Sequence, residues 1–163
     1  MPHPGVEVRP SRGPRNSLLY SFRDVSRWRV GWNWVWLRAA NRMPWYAARR
    51  GFARVAGAHI GRDVSLGLDA QIDVLFPGRI HIGDDCVIGY NTTILSHGYT
   101  HGTYQLGDVH IGKAVSIGAN CTILAGVTIG DGAVIGAMSL VNRDVPAGEF
   151  WAGVPARRIR DRY

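Results

Sequence analysis

Cysteine and long hydrophobic runs are both scarce in this chain of 163 residues. Two lone cysteines, Cys86 and Cys121, do not suggest a disulfide framework and favour a reducing compartment. The apolar part of the tryptophan-rich region, residues 30–37, is far shorter than the roughly 18–20 residues that span a bilayer. The first twenty residues contain prolines and arginines but no apolar run, so no signal peptide is visible. We therefore expect a cytoplasmic protein.

Acidic residues are nearly absent from the first 62 residues. That region holds twelve arginines and only two acids, a net charge of +10, whereas the remainder carries −3. Positive charge of this size raises the question of nucleic-acid binding, but no nucleic-acid-binding motif accompanies it. We expect no nucleic-acid partner. The length is sufficient for one main domain with a sizeable core.

One apolar residue recurs every six positions in the second half of the chain. These core positions are Ile111, Ile117, Ile123, Ile129, Ile135 and Val141. A small or β-branched residue stands two positions before each, and glycine follows four of the six. A period of six fits neither an α-helix nor a simple strand alternation. It predicts a parallel β-helix, in which short strands are joined by tight turns and glycine tolerates the turn geometry.

The same period occurs upstream, with two interruptions. Core positions recur at Ile60, Leu66 and Ile72, and again at Ile82, Ile88 and Ile94. Four extra residues follow Ile72, and five extra residues follow Ile94. The second interruption predicts a protruding loop at residues 96–108, which contains two histidines, His97 and His101. Loops on a rigid scaffold often carry function, so this loop is a candidate site.

The N-terminal third differs from the repeats. Residues 1–16 are rich in proline, glycine and arginine and are expected to form a disordered tail. Residues 17–57 carry five tryptophans among many arginines and predict two helical pieces separated near Pro44. Residues 27–54 suit either of two roles: peripheral contact with the inner face of a membrane, or a cap that packs on the coil or a neighbouring subunit.

The end of the repeats resembles a known family. The segments IGANCTILAGVTIGDGAVIGAMSLVNRDVP, at residues 117–146, and AGVPARRIR, at 152–160, are similar to the closing coils of hexapeptide-repeat acyltransferases. The maltose, galactoside and related sugar O-acetyltransferases are the most similar members. The resemblance implies an all-β, left-handed parallel β-helix at residues 58–145 and a basic, CoA-binding tail at 146–163. It also implies a homotrimer that uses acetyl-CoA at a site between subunits, with no metal.

By motif, the resemblance places the catalytic histidine at His97. A hydroxyl is a poor nucleophile at neutral pH, and a histidine can remove its proton as it attacks a thioester. Gly98 follows where these enzymes often have proline, which affects the prediction of the acceptor more than the chemistry. His101 is the second candidate in the loop, on the acceptor side. Asp73 is expected either to contact the acceptor or to orient the histidine.

The same matching predicts contacts to CoA. Ala119 and Ala137 correspond to positions along the pantetheine arm, and Asn142 and Arg143 replace a Thr–Lys pair. Arg157 and Arg160 match two arginines that meet the CoA phosphates. Guanidinium groups suit this role because they bind phosphate through two N–H groups and stay charged.

Two other functions remain open at this stage. The γ-type carbonic anhydrases share the β-helix but bind zinc with two histidines five residues apart and a third about two coils earlier. Here His97 and His101 are four residues apart. Residue 61, which lies two coils before His97 where the third histidine would stand, is glycine. A non-catalytic β-helix scaffold is the other alternative. The favoured hypothesis is O-acetyl transfer to a sugar, glycan or related small molecule.

Overall fold

The computed structural model describes residues 3–161, and its main body is a left-handed parallel β-helix with three sheets. Each coil contributes one short strand to each sheet, as the six-residue period predicted. Sheet I contains β2 (His59–Ile60), β5 (Ile80–Ile82), β10 (Val109–Ile111) and β13 (Thr128–Ile129). Sheet II contains β3 (Ser65–Leu66), β6 (Val87–Ile88), β11 (Ser116–Ile117) and β14 (Val134–Ile135). Sheet III contains β4 (Gln71–Ile72), β7 (Thr93–Ile94), β12 (Thr122–Ile123) and β15 (Leu140–Val141).

Successive coils are in register, so that each core residue lies above its equivalent. Ile82 pairs with Ile60 on one side and with Ile111 on the other. The predicted core positions are all buried and form one continuous cluster, together with both cysteines. Burying each such side chain contributes about 1.5–3 kcal/mol. The predicted inward direction of these positions is confirmed.

The glycines that follow the core positions were predicted to permit the turn geometry, but the structure gives a different reason for them. The left-handed backbone conformation falls two residues later, for example at Asn120 (φ 55°) and Met138 (φ 60°). At Gly118, a Cβ atom would lie 2.5 Å from the backbone nitrogen of Ala137 in the next coil. Glycine is therefore required at this position by the close approach of stacked coils rather than by the conformation of the turn.

The two interruptions of the repeat form ordered structure. The first contains a short 3-10 helix, Pro77–Arg79. The second, predicted as a loop, is a β-hairpin of β8 (His97–Tyr99) and β9 (Thr103–Leu106). Its outer edge is covered by β1 (Glu7–Pro10), which pairs antiparallel with β9.

The predicted disordered tail is therefore wrong for residues 7–10. The main chain of β1 pairs with an edge of the hairpin that would otherwise present unpaired N–H and C=O groups. The segment before β1 is also held, because His3 Nε2 lies 3.1 Å from Asp144 Oδ1. Proline and glycine content alone did not reveal these long-range partners.

The tryptophan-rich segment folds into helices on both sides of Pro44, as predicted. A 3-10 helix, Ser17–Arg23, precedes α1 (Arg27–Arg42) and α2 (Tyr46–Ala56). Ala53 and Ala56 are fully buried in the same cluster as the first coils. The inner face of the helices therefore packs on the coil, which is the contact that the cap interpretation expects. No helix within residues 3–161 is long and apolar enough to cross a membrane.

One buried arginine joins the cap to the coil. Arg49 is 3% exposed, and its guanidinium donates hydrogen bonds to the carbonyls of Met43 (2.6 Å) and Leu66 (2.7 Å). It thereby links the end of α1 to the first coil. A buried cation is expensive unless its N–H groups are satisfied, and these carbonyls provide acceptors.

The basic C-terminal segment is not a free tail. It forms an antiparallel hairpin of β16 (Glu149–Gly153) and β17 (Ala156–Asp161), and β16 extends sheet II by pairing parallel with β14. The last two residues of the predicted tail, 162 and 163, lie outside the described residues.

Candidate active site

Three of the predicted site residues meet where strands of sheet III end and the chain turns toward sheet I, here called the III–I corner. Asp73 follows β4, His97 follows β7 by three residues, and Asn142 follows β15. The parallel register stacks these strand ends over one another. Residues from three coils, separated by up to 69 positions in sequence, are brought to one corner because each coil returns the chain to the same place.

Asp73 is the centre of a fully bonded network. Its side chain is 0% exposed, and its Oδ2 accepts hydrogen bonds from the Ser96 N–H (2.9 Å) and the Ser96 hydroxyl (2.8 Å). The same oxygen contacts Nδ1 of His97. Oδ1 accepts from the backbone N–H groups of Leu75 (2.9 Å) and Phe76 (3.2 Å). These donors compensate the cost of burying a carboxylate.

The network keeps Asp73 ionised and decides which tautomer His97 adopts. Burial raises the pKa of Asp73, but the hydrogen bond and charge of His97, with the Ser96 donors, outweigh it and hold the pKa below its usual value. An ionised carboxylate can only accept, so Nδ1 of His97 carries the proton that it shares with Asp73. In the neutral imidazole, Nε2 then has the free lone pair that a general base requires.

Two aromatic rings hold the imidazole of His97 in place. Its centroid lies 5.9 Å from that of Phe76, in an edge-on arrangement, and 5.2 Å from that of Tyr99. Burial, with smaller effects of Asp24 and Tyr104, raises the pKa of Tyr99 to about 12. Tyr99 therefore stays neutral at physiological pH and acts as a packing surface for His97.

His97 and Asn142 line a cavity of about 410 Å³ at this corner. Its other walls include Leu124 and the N-terminal residues His3 and Val6. The contribution of the N-terminal segment was not predicted, and nothing in its local sequence signals it. Asn142 Oδ1 is buried and has no hydrogen-bond partner within the described chain, so a ligand N–H or O–H could satisfy it.

His101 is not brought to this cavity within the chain. It is exposed at the turn of the β8–β9 hairpin, whereas His97 lies at the base of the hairpin beside Asp73. The two histidines therefore do not converge as a zinc-binding pair. Arg143, next to Asn142, is exposed on the surface.

The remaining predicted CoA positions lie elsewhere, on sheet II and the turn from sheet II to sheet III, here called the II–III corner. Ala119 follows β11 and Ala137 follows β14, and the two turns stack directly. Adjacent to them, the hairpin of β16 and β17 places Ala152 and Phe150 beside Gly136.

A register shift in that hairpin orients the two predicted arginines alike. Arg160 pairs with Phe150 and Arg157 pairs with Ala152, and the irregularity lies between them. Residues three apart on a regular strand point to opposite faces, but here both arginines share the face of Phe150 and Ala152. The Arg160 guanidinium also stacks over the Phe150 ring at 5.8 Å. This surface is suited to an anionic ligand.

The chain thus separates the two groups of predicted site residues in space. The III–I corner holds a carboxylate–imidazole pair that can take a proton from a hydroxyl, and the II–III corner offers small turn residues beside two arginines. Because the two corners are different edges of the β-helix, one chain does not place both sets of residues around one ligand.

The sequence matches known protein families and relatives. Residues 108–143 match the family model described as "Bacterial transferase hexapeptide (six repeats)", and residues 57–96 match "Hexapeptide repeat of succinyl-transferase". The chain is 42% identical to the Bacillus subtilis protein named "Putative acetyltransferase YvoF", over 88% of this chain and 84% of that protein. It is 35% identical to the galactoside O-acetyltransferase of Escherichia coli, over 68% of this chain and 57% of that enzyme.

The fold is also similar to that of solved structures. A galactoside acetyltransferase in complex with coenzyme A matches with a TM-score of 0.68 and 25% identity, over 83% of this chain and 82% of that one.

Proposed function

Since this chain belongs to the hexapeptide-repeat acetyltransferases, we propose that it transfers an acetyl group from acetyl-CoA to a hydroxyl of a sugar, glycan or related small molecule. The observation that carries the proposal is the His97–Asp73 pair at the edge of the cavity that Asn142 also lines. A carboxylate-oriented histidine beside a partly polar cavity suits general-base activation of a hydroxyl.

In the proposed reaction, Nε2 of His97 takes the proton of the acceptor hydroxyl while the hydroxyl oxygen attacks the carbonyl carbon of the thioester. The tetrahedral intermediate collapses and expels the thiolate of CoA, which recovers the proton from the imidazolium. The products are the acetyl ester and free CoA. Asp73 remains ionised and stabilises the charge that develops on His97.

Direct transfer is favoured over a covalent acyl-enzyme. Both cysteines are buried in the core, and burial raises the pKa of Cys86 and of Cys121. A thiol that is buried and protonated is a poor nucleophile. Free, buried cysteines also fit the proposed cytoplasmic location.

The acceptor hydroxyl is proposed to enter the cavity at the III–I corner. Asn142 Oδ1 can accept a hydrogen bond from a second hydroxyl of a sugar, or from an amide N–H of the pantetheine arm. His101, exposed at the tip of the hairpin, is proposed to contact a larger glycan rather than the reacting hydroxyl. The galactoside O-acetyltransferase among the relatives supports a sugar acceptor.

A homotrimer completes the site. Ala119 and Ala137 lie on a different corner from His97, so CoA bound along one chain reaches the histidine of a neighbour. A contact between two different corners is heterologous, and it closes into a ring under rotational symmetry. We expect light scattering to give about three times the chain mass of 17.9 kDa at micromolar concentration. A monomer would refute the shared site.

The outer face of the helical cap supports peripheral contact with an anionic membrane. Trp28 is 90% exposed and Trp45 is 69% exposed, with arginines between them on α1. Exposed tryptophan beside arginine suits the headgroup region. Because the inner face is part of the core, point substitutions test this better than deletion. Replacing both tryptophans with serine should reduce flotation with phosphatidylserine vesicles, whereas Val154→Ser, which changes an equally exposed residue elsewhere, should not.

The central experiment compares His97→Ala with Arg160→Ala, after a screen of acceptors for CoA release. Loss of a general base should lower kcat by about 10²- to 10⁴-fold while the KM for acetyl-CoA changes little. Arg160→Ala should instead raise the KM for acetyl-CoA, since the proposed contact is to a phosphate. His101→Ala serves as the matched loop variant and should retain most of kcat. If His97→Ala keeps normal turnover, the assignment of the base is wrong.

A further inference from the structure

A column of three histidines runs along the outer surface of sheet I, and the proposed reaction does not use it. His59, His81 and His110 occupy equivalent positions on β2, β5 and β10. The ring centroids are 4.6 Å apart in both neighbouring pairs, and the ring planes differ by only 1° and 15°. The column lines an open groove of about 950 Å³. The register of the coils stacks the three imidazole rings face to face.

One carboxylate joins this column. Asp108 lies in the short segment that leads from the β8–β9 hairpin into β10. Ligand atoms of His81, Asp108 and His110 all lie within 4.8 Å of one another. Asp108 is also held by Arg79, whose Nη1 lies 2.8 Å from Oδ1. Since that bond uses one oxygen, the other oxygen of the carboxylate remains available to a ligand.

We propose that His81, His110 and Asp108 bind one divalent transition-metal ion of the zinc type. Two imidazoles and a carboxylate form a known kind of zinc ligand set, which leaves a fourth position for water. Tetrahedral coordination with bonds of about 2.0–2.1 Å places the ligand atoms about 3.4 Å apart. The three side chains must therefore approach one another by roughly 1 Å. His110 is exposed and the other two are half-buried, so rotation of their side chains can close the site.

The surroundings define what the site does. Asp108 lies two residues beyond Leu106, which pairs with His97 at the base of the hairpin. A metal ion would therefore tie the end of this hairpin to two successive coils and stabilise that part of the fold. The positive charge of Arg79 opposes the cation, so we expect weaker affinity than in a closed structural zinc site.

His59 gives a control within the same column. It stacks on His81 but is not one of the three converging residues. His59→Gln removes an exposed imidazole of the same column and should leave metal binding intact. His110→Gln and Asp108→Asn should each weaken binding by more than about tenfold, since even outer-shell substitutions commonly cost 10- to 100-fold.

Calorimetric titration of the full chain with Zn²⁺ after treatment with a chelator tests the proposal. We expect one ion per chain, a rise in thermal stability with Zn²⁺, and a visible absorption spectrum when Co²⁺ replaces it. Circular dichroism verifies that each variant is folded. Absence of binding, equal binding by His110→Gln and wild type, or equal loss in His59→Gln would each overturn this ligand set. None of these measurements requires acetyl-CoA, so their outcome is independent of the proposed transferase activity.

Discussion

Replacing Asp73 with asparagine tests whether the buried carboxylate acts through His97. The substitution preserves shape but removes the negative charge that faces Nδ1. Loss of a hydrogen bond to a charged group costs about 1.5–3 kcal/mol. If the transition state is destabilised by this amount, kcat falls by about 10- to 150-fold, since each factor of ten in rate corresponds to 1.36 kcal/mol. Stabilising the wrong histidine tautomer can bring the loss to about 10⁴-fold, as in serine proteases.

The same substitution should also lower stability. Both carboxylate oxygens of Asp73 accept backbone N–H groups, from Ser96 on one side and from Leu75 and Phe76 on the other. An amide has only one oxygen, so its NH₂ group must face at least one N–H donor in either orientation. A buried donor left without an acceptor costs about 1–3 kcal/mol. Thermal denaturation should therefore show a small decrease in Tm with the fold retained.

The assay is CoA release at saturating acetyl-CoA, with the double variant Asp73→Asn/His97→Ala included. If Asp73 acts only through His97, the double variant should be no slower than His97→Ala alone, because the effects of one functional unit are not additive. Asp69→Asn, at an exposed turn with φ 56°, controls for the chemical change and should be silent. A folded Asp73→Asn enzyme with kcat within about twofold of wild type would refute the reasoning.

Three further predictions concern stability. Gly118→Ala places a Cβ 2.5 Å from Ala137 N and should lower the free energy of unfolding by at least about 1–3 kcal/mol. The control Gly31→Ala, at an open position of α1, should raise it by about 0.5–1 kcal/mol. Urea denaturation measures both. Arg49→Leu should lower Tm by several degrees, because it leaves two carbonyls without their donors; an unchanged Tm would show that the link between cap and coil is dispensable. Because the folded-state pKa of Asp73 is lowered, its ionisation contributes stability above its unfolded value of about 3.9, and this contribution disappears as the pH falls through the folded pKa. The difference in free energy of unfolding between wild type and Asp73→Asn should therefore become smaller below about pH 4.

The amino-acid sequence by itself determined the β-helix. A six-residue period is a local property that each coil repeats, so the inward positions could be assigned without coordinates. The same periodicity located the interruption that contains His97 and His101, and the resemblance to the acyltransferases then selected His97. Two helices around Pro44 were also predicted, since proline acts on its immediate neighbours.

Contacts between coils and between distant segments were decided only by the tertiary structure. The pairing of Asp73 with His97 depends on how two irregular coils stack, and the shared face of Arg157 and Arg160 depends on a register shift in the last hairpin. The strand at residues 7–10 forms because the hairpin offers an open edge far along the chain. None of these follows from local pattern, because each depends on which backbone segments the fold places side by side, and only the assembled coil specifies that.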